Sequence, residues 1–193
     1  TDYVRVLREY CEKGVQLVVG EAFGISKEAR KVADDYPGIA FLMGDPFKPH
    51  GSNFSVFDNY IHEPCYLMGI IAGHMSKEKK IGMVGGYPIG EVNRLFHAFM
   101  NGARSVDSSI EFKVTLIGSW YDPPKAKEAA IAQIEAGVDI MYAERAGVVD
   151  ACREKGILAF GNVNDMNKEE NGTDVVVTSA LWHMESAIGH AIE

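Results

Sequence analysis

The sequence predicts an α/β fold of two lobes, each built on a parallel sheet. Three observations predict it. Seven short apolar runs, at 15–19, 39–43, 81–84, 114–117, 138–141, 157–160 and 175–177, each end in polar or aromatic residues. A helical pattern usually follows each run, and alternating strand and helix makes a parallel sheet. The charged segment 77–80 interrupts the alternation. It sets a boundary between an N-terminal lobe at 1–78 and a C-terminal lobe at 79–178. Residues 179–193 form a crossover and a helix that return to the first lobe.

In order, Tyr3, Val6, Leu7 and Tyr10 repeat at helical spacing, and Gly14 suits a C-cap. The run 15–19 is a buried strand. Ser26 is placed to cap a second helix with Ala29, Val32 and Ala33 as its apolar face. Pro37-Gly38 turns into the strand 39–43, and 45–53, with Pro46, Pro49 and Gly51, is a loop. Residues 54–57 make a further short strand, the weakest of the set. A helix at 62–75 tolerates Pro64 in its first turn.

Beyond the boundary come strand 81–84, helix 91–106, strand 112–117, helix 124–136, strand 138–142, helix 148–155 and strand 157–160. Pro123-Pro124 suits a helix start, and Gly137 and Gly156 suit helix stops. The polar stretch 167–173 reads as a surface turn. A strand at 175–178 and a helix at 183–192 complete the pattern. The first lobe holds fewer strands than a stable sheet needs, so the chain reads as truncated at both ends.

With 193 residues, 47% hydrophobic and 24% charged, the chain is globular rather than disordered. A net charge of −8 gives it no electrostatic reason to track nucleic acid or an anionic membrane. No run approaches the roughly 18 apolar residues of a membrane span. Cys11, Cys65 and Cys152 fit neither a zinc knuckle nor a redox pair, and they read as small buried hydrophobes.

For catalysis the signals are thin. No Gly-x-Ser-x-Gly elbow or phosphate-binding Walker loop is present, and Gly82, Gly85, Gly86 and Gly90 do not fit Gly-x-Gly-x-x-Gly. The six histidines show no ligand-like spacing on one helix face. Asp122, Glu144 and Asp165 at strand ends are the available acid/base groups, and no spacing in the sequence pairs them.

For binding the signals are better. In open parallel sheets a ligand sits beyond the carboxyl ends of the strands. Phe23, Tyr87, Trp120, Tyr142 and Trp182 offer flat faces there, and Asp122, Glu144, Asn164 and Asp165 offer hydrogen-bonding groups. A structural reading stands beside each. An aromatic at a strand end also packs a core edge, Asp122 also caps the helix that Pro123 begins, and Asp165 also serves a turn with Asn167.

Two segments carry a resemblance. One is Ile81-Gly82-Met83-Val84-Gly85-Gly86-Tyr87-Pro88-Ile89-Gly90-Glu91-Val92-Asn93-Arg94, with Phe99-Met100-Asn101-Gly102-Ala103 after it. The other is Gly118-Ser119-Trp120-Tyr121-Asp122-Pro123-Pro124-Lys125-Ala126-Lys127-Glu128-Ala129-Ala130, joined by Gly137-Val138-Asp139-Ile140. Together they resemble the basic membrane protein family of solute-binding lipoproteins, which includes purine nucleoside receptors of ABC importers. The resemblance implies a type 1 periplasmic binding protein fold whose two Rossmann-like lobes close on one ligand in the interlobe cleft. It implies a purine nucleoside, nucleobase or similar flat heterocycle as ligand, an ABC permease in the membrane as partner, no cofactor and no catalysis. It also implies a periplasmic or cell-surface lipoprotein in the full-length protein.

By matching positions, Phe23, Trp120, Asp165 and Trp182 are implied as ligand contacts, with Glu144 at a strand end facing the same site. Two departures weaken a ribose contact. Val163 stands where the nucleoside receptors tend to carry an aspartate, and Leu181-Trp182-His183 stands where they often carry a basic residue. The alternatives are a cytoplasmic small-molecule sensor and an enzyme on nucleosides or sugar phosphates with the same architecture, since fold alone does not assign function.

Overall fold

The computed structural model describes residues 2–169 and 174–193. In chain order the elements are α1 (Asp2–Glu12), β1 (Leu17–Glu21), α2 (Ser26–Asp35), β2 (Ala40–Gly44), β3 (Phe54–Phe57), α3 (His62–Met75), β4 (Lys80–Gly85), α4 (Gly90–Val106), β5 (Glu111–Leu116), α5 (Pro123–Glu135), β6 (Ile140–Ala143), α6 (Val148–Lys155), β7 (Leu158–Val163), α7 (Met166–Glu169), β8 (Val176–Leu181) and α8 (Glu185–Ile192). Every pairing between strands is parallel. Several strands run past the apolar run that predicts them, so Glu21, Asn162 and Val163 are strand residues. Of the expected turn at 167–173, residues 167–169 are helical and 170–173 lie outside the described residues.

The chain divides into two units, Thr1–Asn59 with His183–Glu193, and Tyr60–Trp182. The first unit carries the three-stranded sheet β1-β2-β3. Leu7 and Cys11 of α1, Ala29, Val32 and Ala33 of α2, and Val18, Phe41, Met43 and Phe54 of the strands form its core. Ser26 does not cap α2. The N-cap is Ile25, without a side-chain bond. The Ser26 hydroxyl instead donates to Asp45 Oδ2 at 2.6 Å, and Arg30 reaches the same oxygen at 2.9 Å. The hydroxyl oxygen in turn accepts Arg30 Nε at 3.0 Å, so the side chain is turned to this buried pair and not to the helix amides.

The second unit carries the five-stranded sheet β5-β4-β6-β7-β8. One face buries Met83, Tyr142 and Phe160 against Met68 of α3 and Leu95 and Phe99 of α4. The other buries Val84, Met141 and Ala159 against Ala126 and Ala130 of α5 and Val149 and Cys152 of α6. Residues on β4, β6 and β7 alternate between the two cores, as a two-residue side-chain period requires.

The units part at Asn59/Tyr60 rather than at 78/79, because α3 is bound to α4. A Cβ on Gly69 would lie 2.1 Å from the Phe99 carbonyl oxygen, and one on Gly102 would lie 2.0 Å from that of Tyr66. Only glycine permits such backbone-on-backbone contact. The charged link after α3 is also tied down. Asp139 accepts the Ser76 hydroxyl at 2.7 Å and the amides of Lys77 and Glu78 at 2.6 and 2.9 Å.

Candidate functional site

The connection from β4 leads to β5 on one side, and the next leads back past β4 to β6 on the other. The carboxyl ends of β4 and β6 therefore flank a topological switch point, where open α/β sheets leave a crevice. Glu144 follows β6 there and is 4% exposed. Its Oε2 accepts the Gly86 amide at 2.9 Å and Arg145 Nε at 2.8 Å, and its Oε1 accepts Arg145 Nη2. Burial raises the Glu144 pKa, against the pull of Arg145 and the Gly86 amide.

Arg145 also donates from Nη1 to the Trp120 carbonyl at 2.8 Å. Its guanidinium carbon lies 5.2 Å from the centre of the Trp120 ring, in cation–π range. Tyr87 packs on the same indole with centroids 4.9 Å apart and planes at 60°. The strand exit at Gly86 makes room for this, since a Cβ there would lie 2.9 Å from the indole. Held on these sides, Trp120 remains 45% exposed. Both Glu144 oxygens are spent within the protein, so Glu144 positions Arg145 and through it the indole.

Asp122 takes the structural role open to it. Its Oδ1 accepts the Lys125 amide at 3.2 Å and caps α5. The start of α6 lies close by, because Gly147 (φ +99°) lets the chain pass where a Cβ would meet the Pro123 carbonyl at 2.2 Å.

A second group lines the ends of β7 and β8. The Trp182 amide donates to the Val163 carbonyl at 2.9 Å, and its half-buried indole packs against the core that contains Tyr142 and Phe160. Asn164 is exposed, and Asp165 pairs with Lys168 at 3.3 Å. Val163 adopts φ +68°, and the Asn164 amide donates to the Asn162 carbonyl at 2.8 Å across it. A β-branched residue at positive φ is a costly conformation of the kind that gathers at functional edges.

Tyr142 does not offer a flat face to a ligand. It is fully buried, with Phe99 and Phe96 at centroid distances of 4.9 and 5.8 Å. Its hydroxyl donates to Asn162 Oδ1 at 3.0 Å and lies 3.2 Å from Cys65 Sγ. Burial pushes the Cys65 thiol up to about 12 and the Tyr142 hydroxyl upward as well.

The second unit thus gathers Trp120 and Glu144 with Tyr87 and Arg145 at one part of its rim, and Asn164, Asp165 and Trp182 at another. Phe23 belongs to the first unit. It follows β1, with its ring 2.9 Å from where a Cβ on Gly44 would stand. Arg145 is the residue that sequence reasoning passed over, while Asn162 reads in the sequence only as a polar strand exit. An arginine directly after a strand-end glutamate was the available signal.

A sequence profile described as ABC transporter substrate-binding protein, PnrA-like, matches residues 1–193. The chain belongs to this family. A purine-binding protein of Brucella abortus is 32% identical to the PnrA-like chain over 183 residues, covering 94% of this chain and 52% of that protein. A putative ABC transporter glucose-binding protein of Haloferax volcanii is also 32% identical, over 195 residues, covering 100% of this chain and 49% of that protein. The chain spans about half the length of these relatives.

The PnrA-like chain also shares its fold with the crystal structure of an ABC transporter solute-binding protein from Aeropyrum pernix K1. There the TM-score is 0.82 at 23% identity, over 98% of this chain and 57% of the other. The α/β architecture with parallel sheets is that of the periplasmic binding proteins. Among the described residues of this PnrA-like chain, no helix is long and apolar enough to cross a membrane.

Proposed function

We infer that this chain is the ligand-holding part of a solute-binding component of an ABC importer, and that it takes a purine-like flat heterocycle without catalysing a reaction on it. The observation that carries this reading is the Trp120 indole. It is fixed at the switch point by Arg145, Tyr87 and Gly86 while 45% of its residue surface stays open. A rigid aromatic face with a few directed polar groups is the usual form of a small-molecule site. The purine-binding relative supports the same ligand class.

In this reading Trp120 is one wall of the site and Trp182 another. Asn164 and Asp165 read the polar edges, and Glu144 keeps Arg145 and Trp120 in place. Phe23 is a candidate contact at its own unit's strand exit. Asp122 contributes as a helix cap. The partner is an ABC permease, and the full-length protein is a periplasmic or cell-surface lipoprotein.

A second reading is a hexose, because a relative of equal identity carries a glucose-binding name and an indole with nearby carboxylates also suits a sugar ring. Titration calorimetry with hypoxanthine, inosine and glucose separates the two. Saturable binding of either purine compound, with none of glucose, is the expected outcome; the reverse replaces the heterocycle by the hexose. Trp182→Ala is expected to weaken binding by about 1–3 kcal/mol, the range for stacking on a base. An unchanged affinity removes Trp182 from the site.

A further inference from the structure

β5 is an edge strand of the five-stranded sheet, and among the described residues it pairs with β4 alone. β8, at the opposite edge, buries Val176 and Ala180, whereas no residue of β5 is buried. Val114, in the middle of the strand, is 45% exposed. An edge of this kind recruits another strand unless something blunts it. The register with β4 is regular from Glu111 to Leu116, so no bulge twists β5 away, and no proline interrupts it.

The direction of its free backbone groups follows from the ladder. The Glu111 amide donates to the Lys79 carbonyl at 2.8 Å, and the Ile117 amide donates to that of Gly85 at 2.9 Å. Successive backbone groups along a strand point to opposite sides, so the odd-numbered positions turn to β4. The N–H and C=O groups of Phe112, Val114 and Leu116 are left on the open side. The side chains of these three share one face. There Phe112 and Leu116 pack at the margin of the core under α4, and Arg104 lies 5.0 Å from the centre of the Phe112 ring. On the other face the strand borders a groove of about 440 Å³, where Lys113 and Thr115 meet Ala129, Ala132 and Ala136 of α5. These alanines are too short to fill the space beside the edge.

We propose that β5 pairs antiparallel with β5 of a second copy of this chain, about a twofold axis at Val114, and so joins two five-stranded sheets into one. The strand is complementary to itself in that register. Val114 meets Val114, Phe112 meets Leu116, and Lys113 meets Thr115. Apolar side chains then oppose apolar ones on the α4 face, and no like charges stand directly opposite. Phe112, Val114 and Leu116 exchange their free backbone groups across the axis. The aliphatic stem of the second copy's Lys113 lies along the alanine-lined groove, with its ammonium in water. Neighbouring axes serve worse. One at Lys113 sets two lysines opposite, and one at Phe112 leaves half of the six-residue strand unpaired. This self-match favours a second copy over an unrelated strand, and it does not depend on which ligand the chain takes.

Sedimentation velocity over a range of chain concentrations tests the pairing. A reversible monomer–dimer equilibrium is expected. Val114→Lys and Val114→Glu each set like charges across the axis and are expected to sediment as monomers, whereas their equimolar mixture is expected to restore the dimer. Val114→Pro removes an N–H that bonds nothing within the sheet, so the variant is expected to fold. It is expected to weaken dimerisation by about tenfold or more, because symmetry removes two hydrogen bonds at once. Should Val114→Pro fail to fold by circular dichroism, the two charge variants decide alone.

A monomer at every concentration of the unaltered chain overturns the proposal and leaves the edge to solvent or to another protein's strand. A dimer that survives both charge variants places the contact elsewhere and also overturns it. So does a mixture of the two that stays monomeric, since an axis at Val114 pairs lysine with glutamate there.

Discussion

Asp45, just past β2 in the first unit, and Glu144, just past β6 in the second, are built alike. Each is a buried acid paired with an arginine, and each arginine lies over an aromatic ring. Arg30 stands 4.9 Å from the centre of Phe54, and Arg145 stands 5.2 Å from that of Trp120. The arginine side chains are even equally covered, at 17% and 18% exposed. The rings differ: Phe54 is 2% exposed and Trp120 45%. The same acid–arginine–ring stack locks a core in one unit and displays an indole in the other. Exposure of the last member decides whether the device holds or presents.

Substitution of the rings is the strongest way to break that comparison. Phe54→Ala is expected to cost about 3–5 kcal/mol of stability in chemical denaturation, as for other buried phenylalanines. Trp120→Ala is expected to leave the denaturation midpoint nearly in place and to weaken ligand binding by about 1–3 kcal/mol. If the two variants lose stability equally, the indole is core and the distinction fails.

The acids come next. Asp45→Ala strands the Arg30 cation and is expected to destabilise the first unit by about 3–5 kcal/mol, the range for breaking a buried pair from one side. Glu144→Gln keeps the shape of the side chain but sets an amide against Arg145. Its expected cost is about 1–3 kcal/mol in stability, with a loss of ligand affinity that Asp45→Ala does not share. Denaturation and calorimetry on both variants measure the contrast.

The smallest effect is the dependence on pH. Burial raises the Glu144 pKa in the folded chain above its ordinary value of 4.5, so the folded state holds that proton more tightly than the unfolded state. The stability this supplies is full below pH 4.5 and is lost as pH rises through the higher folded value. Glu144→Gln is expected to flatten that part of the stability–pH profile. A profile identical to that of the unaltered chain would assign the slope to other groups.

Much of this was legible in the sequence because it rests on local signals. The apolar runs gave the strands, Gly137 and Gly156 ended their helices, and Pro123 began its own. Even the short strand at 54–57 formed where its residues predicted. What escaped depends on contacts between distant residues. Ser26 looked like a cap until Asp45 claimed its hydroxyl. Tyr142 looked like an exposed strand end, but its parity on β6 turns it into the core with Phe160. Arg145 carried only its place after Glu144 as a signal, and its role comes from a carbonyl 25 residues earlier. The division at Asn59/Tyr60 depends on two glycines 33 positions apart in the chain, and no window along the sequence shows them touching.

Those two glycines have a consequence at the rim. Cys65 lies one helical turn before Gly69 on α3, and Tyr142 packs against Phe99 of α4. Because the helices meet main chain to main chain, no flexible group lies between them to absorb a shift. The spacing of thiol, phenol and amide is thus inherited from a place where side chains are missing. Adding a single methyl group at Gly102 would be felt as a change in how the distant asparagine is seated.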